Sequence, residues 1–165
     1  MATLTPLNIP KHSNEAISQI LQSVLANTYG LYLATHNYHW NVEGARFMSL
    51  HSLFESQYNE LFLAVDVIGE RIRALGDYAL PFEGENIVQI SKMTSNALNK
   101  EPAAEDRANR MLRNLIELNE AVIKSCLSTK KMAQNLRDDE TENLMVERIT
   151  VHQKALWMLE SSLKS

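Results

Sequence analysis

Cysteine is almost absent from this chain of 165 residues, which contains only Cys126. A single cysteine excludes an internal disulfide framework and any zinc site built from several cysteines. Cys126 lies within an apolar helical pattern, so we expect a buried, unreactive thiol. Glycine and proline are also scarce, at five and four residues, and this scarcity favours helices over a turn-rich β fold.

An excess of charge of one sign and long apolar runs are missing as well. The formal net charge is −4, and acidic and basic residues are interspersed, which is not the electrostatic pattern of a dedicated nucleic-acid-binding protein. No apolar run is long enough to cross a bilayer, and the first residues do not form the apolar core of a signal peptide. We therefore expect a cytoplasmic protein without a membrane segment.

Apolar residues recur with helical spacing in four long stretches. Two prolines before Ser13 indicate an extended tail, so the sequence predicts a tail over residues 1–12 and one helical domain over residues 13–165. Asp139 and Glu142 form a capping-box pattern at the start of the last helix. The predicted helices cover approximately residues 16–41, 47–75, 103–136 and 139–163.

The connection between the second and third helices is unusually long. It runs from Asp77 to Asn99, contains Pro81 and Gly84, and includes a short amphipathic piece, Ile87 to Met93. We interpret it as a crossover that holds one short helix. Four long helices with one such crossover predict an all-α fold, a four-helix bundle of the ferritin-like variant. Other four-helix bundles, structural or signalling, share this pattern, so fold alone does not define the function.

The interior of the predicted bundle lacks the usual metal motif. Ferritin-like bundles commonly bind two irons through Glu-x-x-His pairs that point into their own core. None of the five histidines has a glutamate three residues before it: His12, His36, His39, His51 and His152. We therefore expect no di-iron site within one bundle, and any metal must bind elsewhere.

The end of the first helix and the second helix carry histidines and carboxylates at spacings of three or four residues, which places each pair on one helix face. These candidate ligands are His36, His39, His51, Glu55, Asp66 and Glu70. Imidazole mixed with carboxylate suits iron or another divalent first-row metal. The alternatives are structural: a histidine can cap a helix or pack in the core, and carboxylates four apart can form a solvated face, with Glu70 paired to Arg71 or Arg73.

Helix geometry limits how one chain can assemble these ligands. His51 and Asp66 are fifteen residues apart, and at about 1.5 Å per residue this is roughly 22 Å, too far to share a metal ion. A two-fold dimer solves this, because second helices packed antiparallel near residue 60 bring His51 of one chain opposite Asp66 and Glu70 of the other. His39, across the preceding turn, can complete each site. The apolar residues that would serve both the bundle and this dimer seam are Leu53, Phe54, Leu61, Phe62 and Val65.

Two motifs in this region resemble the signatures of the Dps family, the DNA-binding proteins from starved cells. The first is HWNVEG at residues 39–44, followed after five residues by Leu50-His51 and then Glu55. The second is VDVIGER at residues 65–71, followed by Leu75-Gly76. Helix order and helix lengths extend the resemblance over essentially the whole chain.

The resemblance implies an iron-storing mini-ferritin. Family members form twelve-subunit cages with ferroxidase sites at the two-fold interface. The implied ligands of a two-iron site, which are also the catalytic residues, are His39 and His51 of one subunit with Asp66 and Glu70 of its neighbour, and Glu55 assists the second metal position. Fe(II) is then oxidised, with hydrogen peroxide as oxidant, and the ferric product is stored in the cavity as protection against oxidative stress.

Three further residues are similar to functional positions of the family. Trp40 resembles a tryptophan thought to intercept stray oxidising equivalents, although it can equally pack against the site. Asp138 and Glu147 resemble acidic residues that line the pores through which iron enters. Acidic residues near a helix N-terminus are also ordinary partners of the helix dipole.

DNA binding in the Dps family often depends on a lysine-rich tail. Here the terminal segments offer only Lys11 and Lys164, so we expect no tight, direct DNA binding, although Lys130 and Lys131 could contribute. A nucleoid-compacting protein with secondary metal binding is the main alternative function. A purely structural helical assembly is a third, which the complete ligand set argues against.

Overall fold

The computed structural model describes residues 11–80, 92, 94–98 and 103–164. Its four long helices are α1 (Lys11–Asn41), α2 (Phe47–Ala74), α3 (Ala104–Leu136) and α4 (Asp139–Leu163). The predicted all-α bundle is confirmed, and the helix ends agree to within a few residues, except that α1 already begins at Lys11. None of the helices in the described ranges is both long and apolar enough to cross a membrane.

The crossover contains helical residues, at position 92 and at positions 94–97. Most of the piece predicted over Ile87 to Met93 lies outside the described residues, as does most of the tail predicted over residues 1–12. The division into a tail and a domain over residues 13–165 therefore stays a prediction.

One face of α1 is buried from Ile17 onward because inward residues recur at alternating steps of four and three. This spacing keeps a single stripe turned toward the neighbouring helices. The two threonines of the stripe donate their hydroxyl protons to the carbonyls of Val24 and Leu31, each over 2.7 Å, so they are buried without an unpaired polar group. The stripe consists of Ile17, Leu21, Val24, Thr28, Leu31, Thr35, Tyr38 and Val42.

The core lies between this stripe and the inward faces of the other helices. Phe54, Ile68 and Ile72 of α2 and Leu112 of α3 are fully buried in it. Burying a large apolar side chain contributes about 1.5–3 kcal/mol. Backbone packing is closest between α3 and α4, between α1 and α2, and between α1 and α3, whereas α2 and α4 face each other across a cleft.

The turn between α1 and α2 is held against the rest of the bundle. Gly44 has a positive φ of 97°, a conformation that costs glycine little. Arg46 then donates to the side-chain oxygen of Asn109 in α3 over 2.7 Å and to the backbone carbonyl of Ser162 near the end of α4. Because α1 and α2 carry His39 and His51 on either side of this turn, these contacts fix the spacing of the two histidines.

The start of α4 is built around Asp138, whose side chain is fully buried. Its carboxylate accepts hydrogen bonds from the Thr141 backbone N–H over 3.0 Å and from the Thr141 hydroxyl over 2.7 Å. Arg71 of α2 adds an ion pair of 2.6 Å. The N-cap is thus Asp138, and the capping box predicted on Asp139 is wrong by one residue.

The burial of Asp138 contradicts the pore-lining role that the family resemblance implied for it. Burial by itself raises the pKa of this carboxyl, but the hydrogen bonds from Thr141 and the contact with Arg71 outweigh it and lower the pKa overall. A carboxylate enclosed in this way does not line a pore, so the helix-terminus alternative is the correct one for Asp138. Glu147 is exposed, and its proposed place in a pore stays a prediction.

Candidate metal site

His39 and His51 lie against each other across the α1–α2 interface. Their rings stack with centroids 3.8 Å apart and planes inclined by 20°. His39 Nδ1 is 3.0 Å from the backbone carbonyl of His51, and His51 Nδ1 is 2.8 Å from the backbone carbonyl of His39. Two residues twelve positions apart therefore hold each other by a reciprocal pair of hydrogen bonds.

This reciprocal pairing sets the tautomer of both rings. A carbonyl oxygen only accepts, so each Nδ1 must carry the proton and donate it. In the neutral imidazole the lone pair then lies on Nε2, which is the form that ligates metals. Metal-binding histidines are commonly oriented in this way, with one nitrogen donating to a backbone carbonyl and the other bound to the ion.

The near-parallel stacking favours two metal positions over one. The lone pair of each Nε2 lies in its ring plane, and the planes of two stacked rings with centroids 3.8 Å apart and an inclination of only 20° do not converge within a short distance. A metal–nitrogen bond is about 2.1 Å long, so the two rings cannot both point at one ion. Ions in two-metal sites are typically about 3.5–4 Å apart, which matches the ring separation.

Aromatic rings from both helices pack around the pair. Tyr58 packs edge-on to His39 with centroids 5.1 Å apart, and it stacks on His36 at 4.2 Å. Trp40 lies on His36 at 4.2 Å and is 64% exposed, so it packs beside the site and also faces solvent. Burial, and then the charge of His39, lower the pKa of His36. His36 thus belongs to this aromatic cluster, although spacing alone made it a candidate ligand.

The three candidate carboxylates Glu55, Asp66 and Glu70 are all exposed on α2. At about 100° of rotation per residue they lie roughly 40°, 60° and 100° around the helix from His51, on one face. The helix is unbroken from Phe47 to Ala74, so Asp66 remains roughly 22 Å along the axis from His51. Within the described part of the chain, no three residues of the types His, Cys, Asp and Glu come together as a metal cluster.

The structural alternative for Glu70 is not supported. Arg71 pairs with Asp138, and Arg73 donates to the Asp77 carbonyl over 2.7 Å and lies over the Tyr78 ring. Neither arginine forms an ion pair with Glu70 in the described ranges. Its carboxylate is free of these competing cations, as a ligand toward a second chain would need to be.

Apolar side chains are exposed on the face of α2 that carries the candidate ligands. Phe62 is 60% exposed, and Met48 and Leu63 are 70% and 65% exposed. The predicted dimer seam is therefore only partly right, because Phe54 and Leu61 are buried in the bundle's own core. Leu53 and Val65 are partly buried against that core, which leaves Phe62 as the fully outward member of the predicted set.

Comparison with known proteins defines the class. Residues 18–165 match the ferritin-like domain family. General stress protein 20U of Bacillus subtilis is 28% identical over 91% of this chain and 99% of its own length. DNA protection during starvation protein 2 of Bacillus anthracis is also 28% identical, over 91% and 98%.

Solved structures agree with this assignment. DpsC from Streptomyces coelicolor has a TM-score of 0.79 and 25% identity, covering 99% of this chain and 92% of its own. Dps from Thermosynechococcus elongatus has a TM-score of 0.77 and 25% identity, covering 92% of both chains. The chain belongs to the ferritin-like family and, within it, to the Dps mini-ferritins. Membership of this family supports an iron-binding, protective role.

Proposed function

We propose that this protein is a ferroxidase and iron store, which binds Fe(II) at sites shared by two chains, oxidises it and keeps the ferric product inside a cage of twelve copies. The observation that carries the proposal is the reciprocal His39–His51 pair, in which each Nδ1 donates to a backbone carbonyl and each Nε2 is left to ligate a metal ion. We propose the cytoplasm as its location and protection against oxidative stress as its purpose.

Each site takes ligands from two chains, with α1 and α2 of one chain facing α2 of the other. His39, His51 and Glu55 of one chain face Asp66 and Glu70 of the other when the helices pack antiparallel near residue 60. His51 lies nine residues before that point, and the two acids lie six and ten residues after it, so the registers match. Two-fold symmetry then gives two identical sites. The exposure of both carboxylates and of Phe62 supports this face as the interface.

The substrate chemistry balances with hydrogen peroxide as oxidant. Two Fe(II) ions each give up one electron, the O–O bond breaks, and two protons are taken up, so the products are two Fe(III) ions and two water molecules. Because both electrons arrive together, no hydroxyl radical is released. The neutral imidazoles hold Fe(II) without adding charge, and the carboxylates hold both oxidation states and exchange protons with solvent.

Anaerobic loading with Fe(II) followed by peroxide tests this proposal. We expect a ferric absorbance at close to two irons oxidised per peroxide, with fast oxidation lost in Asp66→Asn and in His51→Ala. Glu120→Gln is a matched control, because Glu120 is an exposed acid on α3, outside the proposed site. Fast oxidation that survives both site substitutions would contradict the proposal.

A further inference from the structure

A second polar cluster lies inside the bundle, away from the His39–His51 pair. Arg148 and His152 of α4 are 6% and 1% exposed, and Asn119 of α3 is 2% exposed. Arg148 forms an ion pair with Glu60 of α2 through its two terminal nitrogens, and its Nη2 is 3.1 Å from Glu60 Oε2. The same Nη2 is 3.1 Å from His152 Nε2.

The protonation of this cluster follows from its contacts. The guanidinium only donates, so His152 Nε2 accepts from Arg148. His152 Nδ1 therefore carries the proton and donates to Asn119 Oδ1 over 2.8 Å, and Asn119 Nδ2 donates to the Leu115 carbonyl over 2.7 Å. Burial, and then the charge of Arg148, lower the pKa of His152 to about 3, so the ring is neutral and its Nε2 lone pair faces a cation.

Two metal-type ligand atoms thus converge on one cationic nitrogen. A carboxylate oxygen and an imidazole Nε2 each lie 3.1 Å from Arg148 Nη2, and zinc would need both at about 2.0–2.2 Å. The shift is about 1 Å for each atom. A cleft of about 330 Å³ between α2 and α4 is lined by Glu60, Asn119 and His152, and it is large enough for water molecules to complete a coordination shell.

We propose that the Arg148 guanidinium occupies a latent divalent-metal position formed by Glu60 and His152 inside the bundle, and that this arginine keeps metal out of the interior. A guanidinium does not lose its proton in proteins, so its charge repels an incoming cation at every physiological pH. Metal is thereby directed to other sites on the protein. The inference does not depend on the inter-chain ferroxidase site.

Zinc soaks with anomalous diffraction test this directly, because they locate each ion. We expect no zinc beside His152 in the native protein. Arg148→Ala should hold one zinc ion on Glu60 and His152. The Glu60 carboxylate, which loses its arginine partner in this variant, is 39% exposed, so water can hydrate it before metal is added. Arg148→His is a second variant, which places another imidazole one turn before His152 on the same helix face.

Two controls separate charge removal from site formation. Arg71→Ala also deletes an arginine that pairs with a carboxylate, but among the described residues Arg71 contacts Asp138 and Thr141 and no histidine, so this variant should gain no interior zinc. Arg148→Lys keeps the cation and should stay empty. Zinc should also raise the unfolding temperature of Arg148→Ala, and His152→Gln in that background should remove the gain. Interior zinc in the native protein would overturn the proposal. So would the absence of interior zinc from both Arg148→Ala and Arg148→His.

Discussion

His39 and His51 are bound to each other's backbone, each Nδ1 donating to the other residue's carbonyl over 3.0 and 2.8 Å. The two imidazoles therefore act as a unit. Removing either ring takes away a stacking partner and one of the two hydrogen bonds, so the remaining ring is less well oriented.

We predict that His39→Ala and His51→Ala each lower anaerobic Co(II) affinity by more than the roughly 10–100-fold that loss of an outer-shell partner costs, because each removes a ligand as well as the other ring's stacking partner. The fold-loss of Co(II) affinity in the double variant should be clearly smaller than the product of the two single fold-losses, because the effects of substituting residues in direct contact are not additive. Titration followed by the Co(II) spectrum measures this. His36→Phe keeps a ring between Trp40 and Tyr58 and should bind almost normally. Strictly additive losses would show that the two histidines are independent.

The buried Asp138 makes α4 sensitive to acid. We predict that Asp138→Asn lowers the free energy of unfolding by about 2 kcal/mol at neutral pH, because the N-cap and the partner of Arg71 are both weakened. The folded pKa lies below the unfolded value of 3.8. The contribution is therefore complete above the unfolded pKa and is lost as the pH falls through the folded pKa.

Urea unfolding at neutral pH and at acidic pH checks this linkage. The difference in the free energy of unfolding between the native protein and Asp138→Asn should narrow as the pH drops below about 4. Asp139→Asn is the matched control, because Asp139 is the adjacent, exposed acid. A gap that stays constant down to strong acid would mean that Asp138 is not held ionised by Arg71 and Thr141.

The single thiol should be inert in the folded protein, as its place in the apolar pattern predicted. Cys126 is fully buried, and burial raises its pKa to about 11, with Arg148 opposing the shift. At mildly alkaline pH the thiol stays protonated and shielded. We expect an aromatic disulfide reagent to react with it only after denaturation, at one thiol per chain. Rapid reaction in native buffer would contradict the buried environment.

The charge distribution predicts weak binding to DNA. The formal net charge is −4, with acidic and basic residues interspersed, and only several simultaneous phosphate contacts survive physiological salt. We predict no mobility shift of duplex DNA at about 150 mM salt, where charge interactions are screened beyond about 8 Å. A clear shift that disappears in a Lys130→Gln, Lys131→Gln double variant would restore the nucleoid-protein alternative.

Local periodicity was sufficient to predict the helices, whereas the candidate ligand pairs stay a prediction. The repeat of four and three residues that places Leu31 and Tyr38 inward is visible along α1 without any tertiary information. Spacing also placed Asp66 and Glu70 on one face of α2, where the structure has them exposed.

Contacts between distant residues could not be predicted in the same way. Asp138 caps α4 in place of Asp139 because Arg71, which is 67 residues away, binds it. The Glu60–Arg148 pair spans 88 residues, so no local pattern indicates it. Helix rotation divides the residues predicted to serve both the bundle and the seam: Leu61 is buried and Phe62 is exposed, because consecutive positions point about 100° apart on a helix.

The central claim is that each ferroxidase site draws ligands from two chains, and hybrid dimers of His51→Ala with Asp66→Asn test it most directly. In each hybrid, one of the two sites carries both substitutions and the other has neither. Each single variant alone should be inactive in rapid iron oxidation, whereas verified hybrids should recover activity at about half of their sites. If verified hybrids recover none, the ligands do not come from two chains.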